Sequence, residues 1–149
     1  METAIGCATA RACNVNYAGA TDFAAQVQPL AAGVHCVTGA MSVGSNLTLS
    51  NPGVYIFRST GALSSANTIT VAFGGTANAA NTSVFWVSSG AASGAAIGAT
   101  NIFLGTIMVG LPGAITVGDN TTLLSGGRLL SSSAVTLTGA LGGNTINRN

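Results

Sequence analysis

Short runs of alternating apolar and small residues recur along the chain. In "AITVGDN" (Ala114 to Asn120), Ile115 and Val117 fall on one side of an extended segment, and Ala114, Thr116 and Gly118 on the other. Relatives of this heptad are "AMSVGSN" (Ala40 to Asn46), "ALSSANT" (Ala62 to Thr68) and "GAAIGAT" (Gly94 to Thr100), with a shorter fifth copy, "AVTLT" (Ala134 to Thr138). Successive copies start 22, 32, 20 and 20 residues apart, and the long interval contains a loop-like insertion, Gly74 to Ser83.

Each full copy is followed by two further apolar runs. The second runs are Leu47 to Leu49, Ile69 to Val71, Ile102 to Leu104 and Thr122 to Leu124; the third are Val54 to Phe57, Val84 to Val87, Thr106 to Val109 and Gly127 to Leu130. Three short strands in every roughly 20 residues predict a mainly β chain, a right-handed irregular β-solenoid of triangular cross-section. A β-sandwich would not require a repeated triplet. The third runs are apolar on both sides, so that face needs a cover. The segment "TDFAAQVQPLAA" is expected to supply it as a short α-helix. Thr21 would be its N-cap, Asp22 lies in its first turn, and Phe23, Val27 and Leu30 share one side, with Pro29 ending it early. One domain, residues 1–149, is expected: an atypical N-terminal segment with the helix (1–29) and the solenoid coils (30–147).

Asn46, Thr68, Thr100 and Asn120, with Asn144 in a fifth coil, follow the first strands. They are expected to bond coil to coil at a corner. The outward residues of the first strands are expected to be Ala40, Ser42 and Gly44; Ala62, Ser64 and Ala66; Gly94, Ala96 and Gly98; Ala114, Thr116 and Gly118; Ala134, Thr136 and Thr138. None is larger than Thr and none is charged. Flat uncharged sheets invite association and are ordinarily avoided, so a surface of this kind points to a purpose.

The composition narrows that purpose. Only 5% of the 149 residues are charged, against about 25% in ordinary domains. The cations are Arg11, Arg58, Arg128 and Arg148, the acids Glu2, Asp22 and Asp119, and the net charge is +1. That supplies no field for nucleic acid. The uncharged run Ile102 to Val117 is interrupted by Gly105, Gly110, Pro112 and Gly113, so it reads as two strands and a turn rather than a membrane span. The opening "METAIGCATA" lacks the basic and apolar stretches of a secretory leader.

Candidate chemistry is sparse. Three scattered acids make no acid/base pair. His35 is the sole histidine, and adjacent Cys36 would point to the opposite face of a strand, which excludes a Cys/His nucleophile pair. "SVGSN" and "TVGDN" lack the lysine and helix of a phosphate loop. The sequons at Asn46, Asn81 and Asn120 are discounted as chance matches in a Ser/Thr/Asn-rich chain. No enzyme, metal site or cofactor is expected. Cys7, Cys13 and Cys36 allow at most one disulfide: Cys7 and Cys13 could clip the N-terminal segment, and Cys36 could pair with either or stay a buried thiol.

"NPGVYIFRSTGAL", "TSVFWVSSGAA", "IFLGTIMV", "GAITVGDNTTLLSGGRLL" and "AVTLTG" resemble the microbial ice-binding (antifreeze) proteins, with an irregular β-solenoid and an accompanying α-helix. The likeness runs from about Leu30 to Ile146. It implies secretion, adsorption of a monomer to an ice crystal surface, and no cofactor. Carried onto matching positions, it implies an ice-binding face of Ala40, Ser42, Ala62, Ser64, Ala96, Ala114, Thr116, Ala134, Thr136 and Thr138. The competing reading is a structural or adhesive solenoid whose flat face docks protein or carbohydrate.

Overall fold

The computed structural model describes residues 2–139 and 143–147, apart from the side chain of Glu2. Arg148, counted among the cations above, and residues 140–142 of the expected coils lie outside it. Numbered in chain order, the elements are α1 (Glu2–Ala10), β1 (Val15–Tyr17), β2 (Thr21–Asp22), a 3-10 turn (Phe23–Ala25), β3 (Gly33–Val37), β4 (Met41–Val43), β5 (Leu47–Leu49), β6 (Gly53–Ser59), β7 (Leu63–Ser65), β8 (Val71–Phe73), β9 (Thr82–Ser88), β10 (Ala95–Ile97), β11 (Ile102–Val109), β12 (Ile115–Val117), β13 (Thr122–Ser131), β14 (Val135–Leu137) and β15 (Thr145–Ile146).

These strands wind into a β-solenoid. A seven-stranded sheet runs β1-β3-β6-β9-β11-β13-β15, a six-stranded sheet runs β2-β4-β7-β10-β12-β14, and β5 pairs with β8 on a third side. Every pairing is parallel. In the later coils the second and third runs fuse into the single strands β11 and β13. The fusion turns on Gly105, whose φ of +94° is open to glycine at low cost, and there the pairing of β11 with β13 shifts register. Leu104, just before it, accepts the buried Trp86 indole N–H at 2.9 Å. The run Ile102 to Val117 is two strands, β11 and β12, around a turn, and no described helix is long and apolar enough to cross a membrane.

Alternation fills the interior. Met41, Val43, Leu63, Ile97, Ile115 and Val117 from the six-stranded sheet are all buried. From the seven-stranded sheet come His35, Phe57 and Trp86, which are register partners in successive coils. Ring centroids are 5.2 Å apart for His35–Phe57 and 4.3 Å for Phe57–Trp86. Parallel in-register strands about 4.8 Å apart place equivalent rings face to face, which accounts for the stack. Phe23 lies against Phe57 with centroids 4.5 Å apart.

The expected helix at Thr21 to Ala32 does not form. Thr21 and Asp22 pair with Met41 and Ser42 as β2 instead. The Asp22 carboxylate accepts from Ala24 N–H at 3.0 Å, but it caps only one 3-10 turn. Pro29 removes a donor and biases Gln28 away from helical angles. Phe23 and Leu30 are buried as anticipated, but Val27, the middle of the supposed stripe, is 91% exposed.

The cover of the seven-stranded sheet comes from upstream, as α1. Ile5 and Ala8, one turn apart, pack on Val34, Ile56, Val87 and Met108. Nine residues are too few for a helix stable by itself, so docking must hold it. Two anchors do so. The Arg58 guanidinium on β6 donates to the carbonyls of Ala8, Thr9 and Arg11, satisfying acceptors that the helix end leaves open and placing a cation at its negative end. The Cys13–Cys36 disulfide then ties the chain after α1 to β3, resolving the pairing left open by the sequence, while Cys7 is a free, exposed thiol. Closing a loop of 23 residues' separation stabilises by about 3.5 kcal/mol on a chain-entropy basis.

Candidate functional site

The six-stranded sheet brings the sequence-derived residues together. Its central outward row is a continuous chain of register partners: Asp22, Ser42, Ser64, Ala96, Thr116 and Thr136. On one side run Ala40, Ala62, Gly94, Ala114 and Ala134, whose carbonyls accept from the strand ahead at 2.9–3.0 Å. On the other side run Gly44, Ala66, Gly98, Gly118 and Thr138. All ten expected face residues are exposed or half-buried; none is buried. Neighbouring rows repeat at about 4.8 Å across the coils and about 6.7 Å along each strand. Side chains this short have almost no rotamer freedom, so the array is rigid.

The sequence missed Asp22. The signal was the Gly-Ala pair that precedes first strands at Gly39-Ala40, Gly61-Ala62 and Gly113-Ala114, and that also stands at Gly19-Ala20, 20 residues before the first recognised copy. The helical reading of the following residues hid it. Asp22 puts one carboxylate at the end of an otherwise uncharged row. Its Oδ1 accepts from Ala24 N–H and Gly44 N–H, both at 3.0 Å, which turns it toward the backbone.

Smallness on this face has two causes. At Gly98 an added Cβ would sit 2.5 Å from the Ala66 carbonyl oxygen and from Asn67 Oδ1, and at Gly118 2.5 Å from the Ala99 nitrogen. Coil packing dictates glycine there. At Gly94 the nearest atom would be the Ala114 carbonyl oxygen at 3.7 Å, an ordinary contact. Nothing inside the fold requires Gly94 to be small, nor Thr116 or Ser64 to be shorter than a lysine.

The corner beside the face is bonded coil to coil, by a set that only partly overlaps the expected one. Asn46 Oδ1 accepts from Thr70 N–H at 2.8 Å and Asn144 Oδ1 from Thr121 N–H at 2.9 Å, as anticipated. Thr68, Thr100 and Asn120 instead turn the chain, with φ of 59°, 60° and 53°. Their successors in two coils, Asn101 and Thr121, each 1% exposed, point inward and bond. Thr121 Oγ1 donates to the Gly98 carbonyl at 2.9 Å. A left-handed residue reverses the side on which its neighbours project, which moves the ladder one position along.

The remaining polar groups have structural partners. His35 is buried, its Nε2 donating to the Ala31 carbonyl at 2.9 Å and its Nδ1 3.1 Å from the Tyr17 hydroxyl. The carbonyl can only accept, so Nε2 carries a proton, and in the neutral ring Nδ1 receives the Tyr17 hydroxyl proton. Burial lowers its pKa, against the smaller opposing effect of the Ala31 bond. Cys36 is oxidised and has no thiol to offer. Among the described residues no three His, Cys, Asp or Glu converge as a metal site.

Comparison with known proteins agrees with the β-solenoid fold. A family model described as ice-binding-like matches residues 1–143. No curated protein sequence matches the chain. Among solved structures, an ice-binding protein from an Antarctic Flavobacteriaceae bacterium is 27% identical with a TM-score of 0.76, over 98% of this chain and 32% of that one. An ice-binding protein from the Antarctic ascomycete Antarctomyces psychrotrophicus is 24% identical, with a TM-score of 0.73, over 99% and 68%. An Arctic yeast protein, solved to explain its antifreeze activity, is 24% identical, with a TM-score of 0.75, over 99% and 59%. The two fungal likenesses show the fold, and the chain spans about a third of the bacterial protein's length. A family match over nearly the whole sequence, on a parallel β-solenoid, places this chain in the ice-binding-like family.

Proposed function

We propose that this chain adsorbs to ice through the six-stranded face and so inhibits ice growth or recrystallisation. The observation that carries the reading is the in-register row Ser42, Ser64, Ala96, Thr116 and Thr136, flanked by Ala40, Ala62, Ala114, Ala134 and Thr138. A crystal lattice is met best by a surface that is itself periodic and stiff. Hydroxyls and methyls repeating at about 4.8 Å and 6.7 Å can hold water in an ordered layer without moving. Docking then costs little side-chain entropy. Charged side chains would bind water in competing geometries, and long ones would hold the face away from the crystal.

The domain acts outside the cell and as a monomer, with neither cofactor nor catalysis. The disulfide supports an oxidising compartment. The test is to grow an ice hemisphere in a solution of the protein. It enters the ice, whereas Thr116→Tyr and Ser64→Tyr, folded by circular dichroism, are left largely in the liquid. Full incorporation of both variants would exclude this face as the site. An unaltered chain that stays in the liquid but oligomerises or is retained on glycans would favour an adhesive role.

A further inference from the structure

The long coil interrupts the six-stranded sheet at its centre. Adjacent strands elsewhere along the middle and end of the sheet pair through three residues, including Val43 with Ser65 and Val117 with Leu137. Between β7 and β10 the pairing stops after Ala96 with Ser64. The next backbone donor behaves differently too. Ala66, Gly118 and Thr138 each donate their N–H to a backbone carbonyl of the preceding coil at 2.8–3.0 Å. Gly98, the equivalent residue at the seam, donates to the Ser65 hydroxyl at 3.0 Å instead.

Asn101 fills the rest of the gap. The two hydrogens on its Nδ2 are shared among three acceptors: Ser65 Oγ at 2.9 Å, the Ala66 carbonyl at 2.8 Å and the Gly98 carbonyl at 3.0 Å. Its Oδ1 accepts from Ile69 N–H at 2.8 Å. One amide, 1% exposed, therefore binds the ends of both first strands where the ladder inside the sheet is a pair short; the other two-pair junction, β2 with β4, lies at the sheet's end. Two atoms of the outer row, the carbonyls of Ala66 and Gly98, are fixed by it directly.

We propose that Ser65 and Asn101 are positioning residues that hold the two halves of the face, β2-β4-β7 and β10-β12-β14, in one plane. Neither touches ice. Without them Ser64 and Ala96 still pair, but the outer row loses its register across the seam, and the array becomes two half-faces. The inference rests on the reading that this face meets ice, so Thr116→Tyr is measured alongside.

The test compares Ser65→Ala, Ser65→Thr and Asn101→Ala by thermal hysteresis and ice incorporation near 0 °C, with amide exchange followed by NMR. For Ser65→Ala the protein concentration giving a fixed hysteresis rises about fivefold, the factor equivalent to one net hydrogen bond. The Gly98 amide exchanges faster, while the Leu63 and Ile115 amides, held by backbone carbonyls, keep their protection. Ser65→Thr keeps the hydroxyl and restores both readouts. If Asn101→Ala does not fold, Ser65→Ala and its rescue carry the test alone. Full ice activity of Ser65→Ala with a freely exchanging Gly98 amide would overturn the proposal while leaving the face intact. Full activity of Thr116→Tyr would remove the face as the site, and with it the role of the seam.

Discussion

Glycine-to-alanine changes at two positions of one face separate packing from surface function. Gly94 and Gly98 flank the same strand, β10, at its two ends and would gain the same methyl group. At Gly94 that methyl meets nothing nearer than the Ala114 carbonyl oxygen at 3.7 Å. Gly94 also keeps its N–H bond to Ser88 Oγ, which alanine preserves. Gly94→Ala is therefore expected to gain about 0.5 kcal/mol by narrowing the unfolded ensemble. At Gly98 the methyl would lie 2.5 Å from both the Ala66 carbonyl oxygen and Asn67 Oδ1. Coils must part or Asn67 must give up its bond from Ala99 N–H, at a cost of about 1–3 kcal/mol. At about 2–4 °C per kcal/mol for a chain of this size, Gly94→Ala melts about 1–2 °C higher and Gly98→Ala about 2–12 °C lower. Scanning calorimetry at neutral pH reads both. Thermal hysteresis gives the functional half: Gly94→Ala extends the alanine row of Ala40, Ala62, Ala114 and Ala134 and keeps full activity. Equal melting shifts for the two variants would refute the claim that smallness here has two separate causes.

Two further perturbations test what holds the frame. Arg58→Met keeps the apolar stem but removes the donors to Ala8, Thr9 and Arg11, a loss of about 2 kcal/mol for charge-assisted bonds. Hydrogen exchange in α1 should rise about 30-fold with the solenoid amides unchanged, and unaltered α1 exchange would show that Arg58 does not anchor the helix. His35, neutral in the aromatic stack, has a pKa depressed by burial. The unfolded chain therefore binds a proton that the folded one refuses. The stability is fully present above about pH 6.5 and is lost as pH falls from there through the folded pKa, with a slope of up to about 1.4 kcal/mol per pH unit. Melting temperatures recorded from pH 8 to pH 5 should fall on the acid side, and a flat profile would mean that His35 is not held neutral.

Much of this architecture was legible in the sequence, because the information was local. Alternation fixes which side each residue faces, and the recurring heptad makes successive coils whose first strands lie in parallel register. Ser42, Ser64, Ala96, Thr116 and Thr136 could be aligned before any coordinate was known. The same locality misled at Thr21 to Ala32, where a cap and an apolar spacing imitate a helix. There the pairing of Thr21 with Met41 and the burial of Phe23 among rings from later coils outweigh a weak local propensity. The sequence also could not reveal α1. A segment with Gly6 at its centre and little amphipathy becomes helical only because Arg58, 47 residues beyond Arg11, caps it and Ile56, Val87 and Met108 receive it.

The tertiary structure alone decided the disulfide partner, the one-residue shift of the corner ladder and the seam closed by Ser65 and Asn101. Each depends on atoms that come within about 3 Å only after two coils have stacked, a distance that no pattern along the chain encodes.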